Sequence, residues 1–281
     1  MKGITTLKKY ITLAIAVLTL HALPTYAQSY RQLVIEATQA LEAGETADAI
    51  ENYTKAIALA PDNKANEYIY ANLAAAYIQE KNSKEAESTY NTALNKFPES
   101  KRLLQLRGNF YLDAGDLKKA QKDYDKILTN EPYNQEVLYH RAYIHAKNEE
   151  KEKAYKDYYA ILTSNPDNHK ARFALALLYS NDNKREEAQL QLDHLIETNP
   201  DNADYYTAAS NIAEKQKKIE LALTYIDEGI TKCRDNTTLF IRKAELLIAA
   251  KQKKEAKAIL DKLALDGKYS PQMNILYKKC K

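Results

Sequence analysis

The chain has 281 residues, 45% hydrophobic and 28% charged, with 41 Lys+Arg against 38 Asp+Glu, six Gly, two Cys and no Trp. That hydrophobic fraction excludes disorder over the whole length, and scarce Gly and Pro exclude collagen-like, linker-rich and hairpin-rich architectures. A mean hydropathy of −0.59 excludes a polytopic membrane protein.

The first predicted element precedes the fold. Met1–Lys9 carries Lys2, Lys8 and Lys9 with no acid, Tyr10–Leu23 is a short apolar run, and Leu23-Pro24-Thr25-Tyr26-Ala27 offers a small-residue cleavage site. This pattern predicts a secretory signal peptide over residues 1–27. The apolar run is shorter than the ~20 residues of a spanning helix, which favours a cleaved segment over an uncleaved anchor, and no stable membrane insertion is expected after cleavage. No Cys near the site provides a lipid attachment point. Removing the segment takes three lysines and leaves 38 basic against 38 acidic side chains, a neutral mature chain. The expectation is an exported protein, in the periplasm, on the outer surface or secreted.

From residue 30 onward the chain repeats. Alanine recurs at Ala49, Ala86, Ala120, Ala154, Ala188, Ala222 and Ala256, first 37 residues apart and then 34. Twelve residues before each of these anchor alanines stands a small residue: Ala37, Ala74, Gly108, Ala142, Ala176, Ser210 or Ala244. Four residues after each stands a large one: Tyr53, Tyr90, Tyr124, Tyr158, Leu192, Ile226 or Leu260. Pro closes five units, at Pro61, Pro98, Pro132, Pro166 and Pro200. Within residues 67–100, Tyr70, Leu73, Ala74 and Tyr77 mark the apolar face of one helix, and Ala86, Tyr90, Ala93 and Leu94 that of a second. The two small residues allow close approach and the tyrosines fill the space beside them. Pro98 cannot continue the second helix, and Ser100 or a following Asn can cap the next. Ser270-Pro271 starts a final helix by the same logic.

These columns resemble the tetratricopeptide repeat (TPR) family, with its ~34-residue period and small–aromatic–small–Pro pattern. The units run 30–63, 67–100, 101–134, 135–168, 169–202, 203–236 and 237–270, with Lys64–Asn66 inserted after the first and a capping tail at 271–281. The resemblance implies an all-α fold: a right-handed α-solenoid of about seven helix-turn-helix repeats with a C-terminal capping helix, forming a single domain over residues 28–281. Units one, six and seven are degenerate, because Ala40, Ala213 and Leu247 replace the residue held by Tyr77, Tyr111 and Tyr179. Of the 254 residues after the signal segment, only 16 lie outside the seven units. No stretch is left for a separate catalytic domain.

The remaining chemistry-bearing residues fit packing better than catalysis. His145 falls in the column of Tyr77 and Tyr111, which makes it a helix-packing residue. No HExxH, paired-Cys or His–carboxylate spacing predicts a metal, and no GxSxG, P-loop or GxGxxG predicts an enzyme or a cofactor. Cys233 and Cys280 lie at the end of unit six and late in the tail, beyond the reach of one disulfide. Arg107 and Arg141 stand where other units have Leu73 or Leu175. Sixteen residues later stand Asp123 and Asp157, where the leucine units have Thr89 or Gln191. That co-occurrence predicts an ion pair between the helices of one repeat.

Function is therefore expected on a surface. The resemblance places ligand recognition on the exposed side of each first helix, in the concave groove: Tyr68, Asn72, Arg102, Gln105, Asn109, Tyr139, His140, Tyr143, Lys170 and Phe173, with Asp113, Lys147 and Leu177 beside them. Tyr139, Tyr143 and Phe173 are not demanded by the packing columns, and Tyr and Phe among amides and Arg anchor peptides or protein segments. The Lys-Asn/Asn/Lys-Arg clamp of TPR domains that bind chaperone tails is not reproduced, since Ala174 stands where its final Arg would be. Lys215, Lys217 and Lys218, then Lys251, Lys253 and Lys254 one unit later, predict a basic ridge partly countered by Glu214, Glu220 and Glu255; such runs are usually solvated. A neutral exported chain is not expected to bind nucleic acid. The expected role is a non-catalytic scaffold or adaptor for a protein or peptide partner. A self-associating envelope subunit, hence a homo-oligomer, and a carbohydrate- or envelope-polymer-active protein stay open as alternatives.

Overall fold

In the computed structural model, residues 25–281 are described; residues 1–24, most of the predicted signal segment, lie outside them. Among the described residues there are fifteen helices and no strand. They form seven pairs and a terminal helix: α1 Thr25–Ala43 with α2 Thr46–Leu59, α3 Asn66–Gln79 with α4 Ser83–Lys96, α5 Lys101–Asp113 with α6 Leu117–Asn130, α7 Gln135–Lys147 with α8 Lys151–Ser164, α9 His169–Asn181 with α10 Arg185–Thr198, α11 Ala203–Lys215 with α12 Ile219–Lys232, α13 Thr237–Ala249 with α14 Lys253–Leu265, and α15 Pro271–Cys280.

The helices group into two compact units, one through Pro132 and the other from Tyr133 to Lys281. In the first unit α1 to α6 form three antiparallel pairs, and each second helix also packs on the first helix of the next pair. In the second unit α7 to α14 form four pairs in the same way, and α15 covers the last pair by resting on α14 and α13. The three residues Thr25–Ala27 begin α1.

The columns explain the packing. All seven anchor alanines are fully buried, as are Ala37, Ala74, Ala142, Ala176, Ser210 and Ala244 twelve residues earlier. The large residue four positions later is 0–3% exposed in every repeat. Burying a side chain of Leu or Phe size stabilises by roughly 1.5–3 kcal/mol, so this one column is a main contributor to each pair. Gly108 takes the small place where the helices come closest: a Cβ there would lie 2.7 Å from Cε1 of Tyr124.

Turns and caps repeat as regularly. Five residues before each anchor alanine the backbone is left-handed, at Gly44, Lys81, Gly115, Glu149, Asn183, Lys217 and Lys251. The next residue's N–H then reaches back to a carbonyl of the last helical turn at 2.7–2.9 Å, as from Asn82 to Tyr77 and from Gln252 to Leu247. This closes the first helix and satisfies orphan carbonyls. Five of those seven positions are not Gly, and each carries a strain of about 1 kcal/mol or more. First helices are capped by Ser100, Asn134, Asn168, Asn202 and Asn236, whose side chains accept from N–H groups of the first turn.

The insertion after the first repeat has a definite role. Asn66 is completely buried, donates its amide to the carbonyls of Ala60 (2.6 Å) and Pro61 (3.3 Å), and accepts from the Tyr30 hydroxyl at 2.8 Å. It thereby ties the end of α2 and the start of α1 to α3.

Candidate partner-binding surface

In the first unit, α3 and α5 present Tyr68, Asn72, Arg102, Gln105 and Asn109. Tyr68 is exposed, and the Arg102 guanidinium from the next repeat lies over its ring, 4.6 Å from the centroid. Gln105 is half-buried and Asp113 exposed. The two asparagines are engaged in the core. Asn72 is 9% exposed and donates to the Tyr53 hydroxyl at 3.2 Å, which also meets Thr38 Oγ1 at 3.0 Å. Asn109 Oδ1 accepts from the Tyr124 hydroxyl at 2.7 Å. Thr38 and Asn109 hold the same repeat position, fifteen residues before the tyrosine they serve. Their job is to satisfy a phenol that the packing column buries, since an unmet buried hydroxyl would cost about 1–3 kcal/mol. Of the five first-unit candidates, Asn72 is buried, while Tyr68, Arg102, Gln105 and part-buried Asn109 keep surface exposure.

In the second unit, α7 and α9 carry a denser aromatic wall. Tyr143 and Leu177, at the same repeat position, are 41% and 43% exposed. Tyr139 and Phe173, four residues before them, lie on the same helix faces and are half-buried. Tyr139 sits edge-on to Tyr158 and to His140, both with centroids 5.9 Å away. Burial, then the neighbouring Tyr143, raises the pKa of its phenol. Phe173 packs on Tyr205 of the following repeat at 5.2 Å, which fixes its ring. The Lys147 ammonium hangs over Tyr143 at 5.4 Å, and Lys170 is exposed. The surface offers rigid apolar rings with two cations at its margins, a combination suited to an extended peptide with apolar and acidic side chains.

The predicted ion pairs are present. Arg107 holds Asp123 through Nε at 2.8 Å and Nη2 at 2.6 Å, and Arg141 holds Asp157 through Nε and Nη2, both at 2.8 Å. Both carboxylates are almost fully buried. His145 is buried as expected of its column, and its Nδ1 lies 2.5 Å from Glu150 Oε2. Both cysteines are free, Cys233 buried and Cys280 partly so. Among the described residues no cluster of His, Cys, Asp or Glu is placed to hold a metal ion, and no helix is long and apolar enough to cross a membrane.

One polar network was not among the residues singled out from the sequence. Asp182, at the turn between α9 and α10, is bound by Lys151 at 2.5 Å, Lys184 at 3.0 Å and the Tyr155 hydroxyl at 3.2 Å. The Tyr155 ring lies 5.0 Å from Tyr179, whose hydroxyl meets that of Tyr159. The hydrogen bond from Lys151, then that from Lys184, lowers the Asp182 pKa to about 2. In the first unit the same place holds Tyr111, Glu87 and Lys119, with Glu87 accepting from both partners at 2.9 Å. The signal was legible in principle: Tyr111 and Tyr179 share a column, and so do Glu87 and Tyr155 in the preceding repeats. These networks join neighbouring repeats.

Comparison with known proteins agrees with this architecture. A tetratricopeptide repeat model matches residues 40–110 and 152–212, and a second such model matches 105–169. A tetratricopeptide repeat protein from Parabacteroides merdae shares 24% identity and a TM-score of 0.67 over 90% of this chain and 99% of its own. PilW, a type IV pilus biogenesis factor, shares 14% identity and a TM-score of 0.61 over 76% and 99%. YrrB, described as a TPR protein with an unusual peptide-binding site, shares 23% identity and a TM-score of 0.54 over 73% and 100%. A search of curated proteins returns no match. At these identities the structural likeness concerns the fold, while the family models together span residues 40 to 212. The chain belongs to the tetratricopeptide repeat family.

Proposed function

We propose that this protein is an exported, non-catalytic scaffold that binds a protein or peptide segment along the exposed side of its first helices. The observation that carries this reading is the wall formed by Tyr139, Tyr143, Phe173 and Leu177. Tyr143 and Leu177 stand more than 40% exposed beside rings already immobilised by Tyr158 and Tyr205. Ordered apolar surface binds without a further loss of side-chain freedom. YrrB's peptide-binding site adds support by analogy of fold. Export rests on the charge and hydropathy pattern of residues 1–27.

The test is capture of envelope proteins on immobilised full-length protein, compared with Tyr143→Ser/Leu177→Ser. Those two side chains are the least engaged in packing, so the variant retains its fold. Specific capture by the wild type, lost in the variant, is the expected result; an unchanged set of captured proteins refutes the assignment.

A further inference from the structure

Several lysines of the second unit are held by carboxylates, and others stand exposed without one. Lys151, Lys153, Lys184, Lys243, Lys257 and Lys268 each pair with a carboxylate. Lys215, Lys217, Lys218, Lys251, Lys253 and Lys254 form no ion pair, and all six are exposed. They sit on two consecutive turns, α11–α12 and α13–α14, with Lys217 and Lys251 at the same left-handed position. Equivalent turns of neighbouring repeats stand about one helix-packing distance apart, ~10 Å, which sets the two lysine clusters side by side as a basic ridge. The first helices that lead into the two turns are in contact, with Arg242 of α13 reaching Glu214 of α11 at 2.6 Å. That contact also removes Glu214 as a countercharge. Glu220 and Glu255 stand beside the six lysines in sequence.

We infer that this ridge is a docking surface for an anionic lipid bilayer, separate from the partner-binding wall on the first helices. Three features favour a bilayer over other polyanions. The unpaired cations on these two turns are lysines, point charges suited to a diffuse anionic surface, whereas Arg242, which could fork onto a discrete carboxylate, is held by Glu214. No aromatic side chain stands within either lysine cluster, 215–218 or 251–254, so neither turn offers a nucleic-acid strand a stacking platform of its own. Leu221, in the first turn of α12, is 37% exposed and adds an apolar contact at the margin. Each lysine near an anionic membrane surface multiplies partitioning about fivefold, an attraction that salt screens within a Debye length.

The experiment is co-sedimentation of the full-length chain with vesicles of phosphatidylcholine alone or containing phosphatidylglycerol. Lys217→Gln/Lys218→Gln/Lys253→Gln/Lys254→Gln is compared with a charge-matched control, Lys81→Gln/Lys84→Gln/Lys118→Gln/Lys122→Gln, whose four lysines are equally exposed in the first unit. Residues 1–27, with Lys2, Lys8, Lys9 and the apolar run Tyr10–Leu23, are present in every protein, so the difference between the ridge variant and the control on anionic vesicles isolates the ridge. Expected are preferential binding of wild type and control to anionic vesicles, its loss in 0.5 M salt, and a weakening on the order of a hundredfold or more in the ridge variant. Equal binding by ridge variant and wild type, equal losses in both variants, or no preference of the wild type for anionic vesicles overturns the inference. So does binding to polyglutamate or DNA without binding to vesicles. Partner capture through Tyr143 and Leu177 is read independently, so either proposal can fail alone.

Discussion

Replacing Arg107 by Leu tests how this fold uses buried charge. Asp123 has 3% of its side chain exposed, and both carboxylate oxygens are bound by one guanidinium, at 2.8 and 2.6 Å. Arg107→Leu leaves that carboxylate buried with no cation, which costs about 3–5 kcal/mol. The loss of the bond from Nη1 to Asn91 at 2.7 Å adds little, because Asn91 is exposed and water replaces it. The preceding repeat shows the remedy: it has Leu73 and Thr89 at these positions, and Thr89 donates its hydroxyl to the Glu85 carbonyl at 2.7 Å. The double variant Arg107→Leu/Asp123→Thr recreates that pair, with the Lys119 carbonyl as the matching acceptor. It should therefore lie within about 1.5 kcal/mol of wild type, the range of well-tolerated core swaps. Urea titrations followed by far-UV circular dichroism on the four proteins of the cycle give the coupling energy. A single variant within 1 kcal/mol of wild type, or a double variant no more stable than the single, would refute the assignment of Asp123 as a carboxylate dependent on Arg107.

Two further substitutions probe packing and titration. Gly108→Ala gains about 1 kcal/mol of helix propensity, but its Cβ meets the Tyr124 ring at 2.7 Å while Asn109 pins the hydroxyl; overpacking costs about 1–3 kcal/mol, so the net change is a lower melting temperature, and a rise would contradict the close approach. Asp182 ionises at about 2 in the folded chain, below its ordinary value of 3.8, so the unfolded chain takes up the proton first. The stabilisation is complete above about pH 4 and disappears as the pH falls through 2. Asp182→Asn should flatten the loss of stability between those limits, measured as melting temperature against pH, and an unchanged slope would count against the network.

The fold was legible because each repeat contacts its neighbours alone. A residue's surroundings then recur with the period, and the anchor alanines, their small partners and the tyrosines could be read as columns. The pairing of Arg107 with Asp123 was visible for the same reason, since both members vanish together in the leucine repeats. The candidate surface was legible only in part. Asn72 and Asn109 carry the side chains expected of an amide-lined groove, yet buried tyrosine hydroxyls claim both. Nothing in a one-dimensional pattern distinguishes an amide facing a ligand from one turned toward a phenol. Tyr143 and Leu177, by contrast, stand open because no neighbouring repeat supplies a side chain to cover them.

Periodicity, charge and the placement of Pro and small residues were enough to establish helix pairs, their partners and the family. Those properties are local and repeat every 34 residues, so order along the chain carries them. Which polar groups are free is a three-dimensional matter, decided by how far a side chain reaches across a packed interface. Only the tertiary structure showed that Asn66 closes the first repeat, that tyrosines and ion pairs knit the turns together, and that the lysines on the α11–α12 and α13–α14 turns stand exposed without an ion pair.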